Sequence, residues 1–163
     1  MLIGIMSDSH DNVPLIKKAV DYFNDNKVDI VFHAGDIISP FCSSELSKLK
    51  SRFFAVFGNN DGERQMWYDK IKGWGEIFED YYETTLEGQR ILLMHEPRHL
   101  EELAQSRRYG VIIFGHTHKP EKRFIESTLV VNPGECGGWL TGKSTVATLK
   151  LPGKEVNIVE LAK

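Results

Sequence analysis

The chain has 163 residues, with 20 Lys and Arg against 23 Asp and Glu, a net charge of −3, and 41% apolar and 26% charged residues. At roughly 150 residues per domain this predicts one domain over residues 1–163, large enough to bury about 68–70% of its unfolded surface without covalent staples. The composition excludes a disordered or collagen-like chain, and the acidic balance excludes a basic protein that grips duplex nucleic acid through its phosphates.

Leu2–Met6 reads as a buried strand. Asn12 is the expected N-cap of a helix with Pro14 in its first turn and Ile16, Ala19, Val20 and Phe23 on its apolar face. Asp29–Phe32 is the next strand, Ser43–Leu49 a short helix and Arg52–Phe57 a third strand, a β-α-β-α-β order that implies parallel pairing. Glu63–Lys72 fits a helix, while Trp74 and Phe78–Tyr82 fit either a helix end or a strand. Thr84–Leu86 and Arg90–Met94 flank Glu87-Gly88 as a hairpin, Leu100–Arg107 is helical and Val111–Phe114 is a buried strand. Phe124–Ile125, Leu129–Val131, Thr145–Leu151 and Val156–Leu161 are short strands, the last two joined at Pro152-Gly153. The pattern predicts a mixed-sheet α/β domain with an antiparallel C-terminal half.

Cys42 and Cys136 stand far apart with no Cys-x-x-Cys, so they are expected as small buried residues rather than zinc ligands. The N-terminal apolar run lacks a basic flank and soon meets Asp8, and no stretch approaches the 18 or so apolar residues of a membrane span. The expected location is the cytoplasm, with no membrane partner.

The apolar strands repeatedly end in residues that bind metals. LIGIM leads to Asp8 and His10, IVFHAG to Asp36, RFFAVFG to Asn59, RILLM to His95, and VIIFG to His116 and His118. Ligands of open α/β sheets gather outside the carboxyl ends of the strands, so these side chains are expected in one crevice. Two carboxylates, an amide oxygen and four imidazoles exceed one ion's needs and suggest two divalent ions about 3.5–4 Å apart. Nitrogen and oxygen donors without thiolate favour Mn, Fe, Ni, Co or Zn over Ca or Mg.

The ordered set Asp8-x-His10, Gly35-Asp36, Gly58-Asn59, His95 and Gly115-His116-Thr117-His118 resembles the calcineurin-like metallophosphoesterases. The resemblance covers nearly the whole chain. With Asn132-Pro133-Gly134-Glu135, it is similar to the family's small archaeal and bacterial phosphodiesterases, whose fold the retromer subunit shares. It implies a four-layer α/β/β/α sandwich of two mixed sheets flanked by helices. One ion would take Asp8, His10, Asp36 and His118, the other Asp36, Asn59, His95 and His116, with Asp36 as the catalytic bridge. A hydroxide between the ions would attack phosphorus in line with the leaving oxygen of a small phosphodiester.

Two positions depart from the family pattern. Asn60 stands where most members carry a His near the leaving oxygen; it can donate a hydrogen bond but no proton, so it is expected to contact substrate and to favour good leaving groups. His95-Glu96-Pro97 replaces the usual His-Gly-His. His99 reads as a surface residue of the next helix, and His33 as a hydrogen-bonded core residue rather than a ligand. Arg64 is a candidate for bidentate contact with a phosphate oxygen. Trp67, Tyr68, Trp74, Phe78, Tyr81 and Tyr82 read as packing residues, some of them at a homo-oligomer contact.

Gly137-Gly138-Trp139-Leu140-Thr141-Gly142-Lys143-Ser144 matches the P-loop spelling, but the β-branched, alternating run after it predicts a strand where a P-loop needs a helix. A Gly-rich loop at the rim of the metal cleft is expected instead. Two rival readings stay open: a non-catalytic scaffold of the same fold that binds a protein partner, and a nuclease or nucleotidase.

Overall fold

Alternation along the strands divides the apolar residues among three layers. In the computed structural model, which describes residues 1–161, the first sheet contains β1 (Leu2–Met6), β2 (Ile30–His33), β3 (Arg52–Val56), β4 (Gly75–Phe78), β10 (Ser144–Lys150) and β11 (Glu155–Leu161). The second contains β5 (Tyr81–Leu86), β6 (Gln89–Met94), β7 (Val111–Ile113), β8 (Glu121–Ile125) and β9 (Thr128–Asn132). Residues 162 and 163 lie outside the described part of the chain.

Ile3, Ile5, Ile30, Phe32, Phe54 and Val56 of the first sheet face Ile91, Leu93, Val111, Ile113, Leu129 and Val131 of the second. The opposite face of the first sheet, with Met6, Val31, Phe53 and Ala55, packs on α1 (Val13–Asp25), α2 (Ser43–Leu46) and α3 (Arg64–Ile71). On the outer face of the second sheet, Leu92, Met94, Ile112 and Phe114 meet α4 (Leu100–Gln105). Strands covered on both faces need apolar residues at every position, which explains their unbroken apolar runs. The result is the expected α/β/β/α sandwich of two mixed sheets.

The first sheet has the order β11-β10-β1-β2-β3-β4 and the second β5-β6-β7-β9-β8. β1, β2, β3 and β4 pair in parallel, as do β6 with β7 and β7 with β9. The expected antiparallel C-terminal half holds for β8 with β9 and for β10 with β11 and β1, and the parallel β7–β9 pair departs from it because β8 takes the sheet edge and leaves β9 beside β7. Trp74 precedes β4, and the aromatic run after it belongs to strands in different sheets, with Glu79 and Asp80 making the crossing.

Several ends differ from expectation. Asn12 is the N-cap residue of α1 as expected, but its side chain makes no capping hydrogen bond; its Nδ2 donates to the Gly137 carbonyl at 2.7 Å instead. Asp29 precedes β2, and its carboxylate accepts the Leu2 N–H at 2.7 Å. The second helix is a 3-10 turn over Pro40–Cys42 followed by only Ser43–Leu46. Cys42 and Cys136 are buried and unpaired.

Gly4 is required by the approach of α1. A Cβ there would lie 2.7 Å from the Phe23 ring and 3.1 Å from Val31. Because that ring is fully buried, Gly4→Val is expected to lower unfolding free energy by about 1–3 kcal/mol through overpacking. Urea denaturation checks this, with Phe23→Leu added to the Gly4→Val variant restoring part of the loss.

Candidate metal centre

Both sheets deliver donors from strand ends. β1 runs on to Asp8 and His10, β2 to Asp36, β3 to Asn59, β6 to His95, and β7 to His116 and His118. Asp8, His10, Asp36, His116 and His118 have positive φ values of 52°, 44°, 56°, 66° and 58°. Left-handed backbone costs a non-glycine residue of the order of 1 kcal/mol, so this concentration marks a site that the surrounding structure holds in place. The loops brace one another: Asp8 N donates to Gly35 O at 3.0 Å and His10 N to Asp36 O at 3.1 Å. Close approach also excludes side chains. A Cβ on Gly58 would overlap Asp36 Oδ1, and one on Gly115 would overlap Ser7 Oγ and come within 2.9 Å of Asp8 Oδ2.

Asp8, Asp36 and His95 are buried. Asp8, His10 and His118 offer donor atoms within 4.8 Å of one another, as do Asp8, Asp36 and His95. Asp36 Oδ2 lies 3.7 Å from His10 Nε2, and its Oδ1 lies 3.5 Å from His95 Nε2. Asp8 Oδ1 is 3.4 Å from His118 Nε2 and 3.9 Å from His10 Nε2. Asn59 Oδ1 lies between His95 Nε2 at 2.9 Å and His116 Nδ1 at 3.0 Å.

This donor set fits cations. Asp8 Oδ1 and His10 Nε2 are buried with no hydrogen-bond partner among the described residues. Two donors on one ion at about 2.1 Å lie roughly 3–3.4 Å apart, so the separations need only a small inward shift. His95 Nδ1 lies 2.7 Å from the Ala34 carbonyl, which can only accept. The neutral ring therefore carries its proton on Nδ1 and turns the Nε2 lone pair toward the oxygens of Asn59 and Asp36, a repulsive contact unless a proton or metal lies there.

Electrostatics points the same way. Burial pushes the Asp8 carboxyl above its ordinary range. Burial acts on Asp36 likewise, but hydrogen bonds from His95 and Asn60 outweigh it and hold the carboxyl well below that range. Burial alone would lower His95, yet the Asp36 carboxylate raises it above the ordinary imidazole value.

Asn60 is exposed but held against Asp36: its backbone N donates to Asp36 Oδ1 at 2.9 Å and its Nδ2 to Oδ2 at 2.7 Å. The Arg64 guanidinium pairs with Glu79 and lies 4.8 Å from the Phe57 ring centroid. Glu96 pairs with Arg98 at 2.7 Å. His33 is buried with Nε2 3.0 Å from Ser9 Oγ, and burial lowers its pKa to about 3, so it stays neutral. His99 precedes α4 and is exposed. A cleft of about 690 Å³ opens from Asn59 and His95 and is walled by Glu79, Tyr81, Glu83, Arg108 and others.

Sequence reasoning assigned no role to two buried carboxylates. Asp61 accepts from the N–H groups of Asp36, Ile38 and Gly58 at 3.0, 2.6 and 2.6 Å, clamping the β2 and β3 loops together. Glu135 is fully buried beside His118. The signal for Asp61 was its place in the turn-rich Gly58-Asn59-Asn60-Asp61-Gly62; for Glu135 it was an acidic residue inside an otherwise apolar and Gly-rich stretch.

The family model of the calcineurin-like phosphoesterase superfamily domain matches residues 1–154. Phosphodiesterase MJ0936 of Methanocaldococcus jannaschii is 39% identical, with 99% of each chain covered. A probable metallophosphoesterase of Methanothermobacter thermautotrophicus is 32% identical over 96% of this chain and 90% of that relative. The solved structure of an archaeal phosphodiesterase superposes with a TM-score of 0.91 at 38% identity, covering 99% of this chain and 100% of that one. Vps29 of Entamoeba histolytica shares the fold at 17% identity and a TM-score of 0.69, over 99% and 100% of the two chains. With its strand-end donors and its two-sheet sandwich, the chain belongs to the calcineurin-like phosphoesterase superfamily.

Proposed function

We propose that the chain is a dinuclear metal-dependent phosphodiesterase. The observation that carries this reading is the position of Asp36, whose two oxygens face His10 on one side and His95 on the other. Asp8, His10, Asp36 and His118 would hold one ion, and Asp36, Asn59, His95 and His116 the other. The donor chemistry suits Mn, Ni, Fe, Co or Zn. When bound, the ions would supply a hydroxide nucleophile near neutral pH and neutralise charge developing on the phosphoryl group.

The protein's own residues set the substrate preference. Asn60 is placed to donate its amide N–H to a phosphoryl or leaving oxygen once a cation takes its present partner, Asp36 Oδ2. It has no proton to transfer, so a leaving group must carry its own negative charge. Three of the four acids in the adjoining cleft are paired with arginines, Glu79 with Arg64, Glu83 with Arg90 and Glu96 with Arg98. The cleft volume of about 690 Å³ suits one sizeable substituent. The likeness to an archaeal phosphodiesterase over the full chain supports this reading over a scaffold or nucleotidase.

Metal analysis of protein reconstituted with Mn or Ni should give about two ions per chain. Such protein should hydrolyse a bis-aryl phosphate, and Asp36→Asn should lose at least about 100-fold in kcat/KM. Metal-free, inactive protein after reconstitution would point to the scaffold. Steady-state assays should also show aryl diesters turning over at least about 100-fold faster than alkyl diesters, because no acid assists departure; equal rates would contradict the role given to Asn60.

Metal affinity should fall with pH. The Asp36 carboxylate raises the His95 pKa above the ordinary imidazole value, and the ligand form has lost the Nε2 proton, so acid competes with metal. Calorimetric titration should show weaker affinity at pH 6 than at pH 8, with protons released on binding.

A further inference from the structure

The backbone N–H groups of residues 139 to 141 turn inward together, as in a phosphate-binding loop, but they converge on an internal anion. Glu135 Oε1 accepts from Trp139 N at 2.7 Å and Leu140 N at 2.9 Å. Its Oε2 accepts from Thr141 N at 2.8 Å and Thr141 Oγ1 at 2.7 Å. The P-loop-like spelling of residues 137–144 therefore describes a cradle filled by the chain's own buried carboxylate.

The same carboxylate faces the metal centre. Glu135 Oε1 lies 3.4 Å from His118 Nδ1, a buried nitrogen with no hydrogen-bond partner among the described residues, while His118 Nε2 faces Asp8 Oδ1 at 3.4 Å. A proton on Nδ1 directed at Glu135 leaves the Nε2 lone pair for a cation beside Asp8. Carboxylates that take the distal N–H of a histidine ligand fix its tautomer and raise its basicity. The loop is also tied to the other side of the centre: Trp139 Nε1 donates to the His10 carbonyl at 3.0 Å. His10 and His118 stack with centroids 5.1 Å apart. The carboxylate thus connects the loop to the His118 ring, and the indole connects it to the backbone of His10.

We propose that Glu135 is a positioning residue that orients His118 for metal binding and, through the same carboxylate, holds the 137–142 loop in place, so that loop order and metal affinity are coupled. The inference rests on the metal centre proposed above. Loss of the carboxylate should release the loop and misorient His118 together, whereas a purely structural loop anchor would leave the metal's electronic environment unchanged.

The test is titration with Co(II) alone, read by visible absorption, on wild type, Glu135→Gln and Glu135→Ala, with trypsin cleavage after Lys143 measured with and without Co(II). Expected are a 10–100-fold loss of affinity at one of two sites and a changed Co(II) spectrum in both variants. Cleavage at Lys143 should be faster in the variants, and Co(II) should slow it in wild type. A folded Glu135→Gln protein with wild-type affinity and spectrum would overturn the inference while leaving the metal centre intact. A wild type that takes up no Co(II) would overturn the metal centre and the inference with it. Should both Glu135 variants fail to fold, Thr141→Val takes their place: faster cleavage with Co(II) affinity lowered about 3-fold is expected, and faster cleavage at unchanged affinity would overturn the coupling.

Discussion

The structure depends on keeping two carboxylates, Asp8 and Asp36, in a dry crevice where, among the described residues, neither has a matching lysine or arginine. Burying ionised carboxylates without compensation costs several kcal/mol each, so a fold that does so needs positive charge brought to it. Hydrogen bonds from Asn60 to Asp36 and from the His116 N–H to Asp8 compensate in part, while the nearest histidine nitrogens stand 3.4–3.9 Å from the carboxylate oxygens. That spacing suits an intervening cation. Much of the surrounding architecture follows from it: left-handed backbone at five donor residues, glycines at 58 and 115 where any side chain would collide with a donor, and Asp61 locking the loops that carry Asp36 and Asn59.

Much of this was legible in the sequence because the strands announce themselves. Runs buried on two faces are apolar at every position, and the abrupt change to Asp, Asn and His after each run marks where strands end and donors begin. Neighbour order was less legible. The β7–β9 pairing skips an intervening hairpin partner, and periodicity carries no information about which strand lies beside which. The crossing between sheets at Glu79-Asp80 was hidden because aromatic residues continue on both sides of it. The side chains of Asp29 and Asn12 were hard to read for a related reason: each is used in a contact distant in sequence, to Leu2 and Gly137, so Asp29 stands outside β2 and Asn12 holds the N-cap position without a side-chain cap bond.

The buried acids Asp61 and Glu135 were harder to see than the donors. Both act by accepting backbone N–H groups, an arrangement with no characteristic spacing, and neither residue type nor position after β3 or β9 sets them apart from the donors. They also show how the site is layered. The donors face the crevice, while acids behind them fix the loops, so that the separations between donors are set before any ligand arrives. Asn60 belongs to this layer too, since it holds both oxygens of Asp36.

The central claim is that Asp36 bridges two ions, and electron paramagnetic resonance of protein loaded with Mn(II) tests it most directly. Wild type should show the signature of an exchange-coupled Mn pair, and Asp36→Asn should show isolated Mn(II) or a single occupied site. Uncoupled Mn(II) in the wild type at full loading would contradict the account.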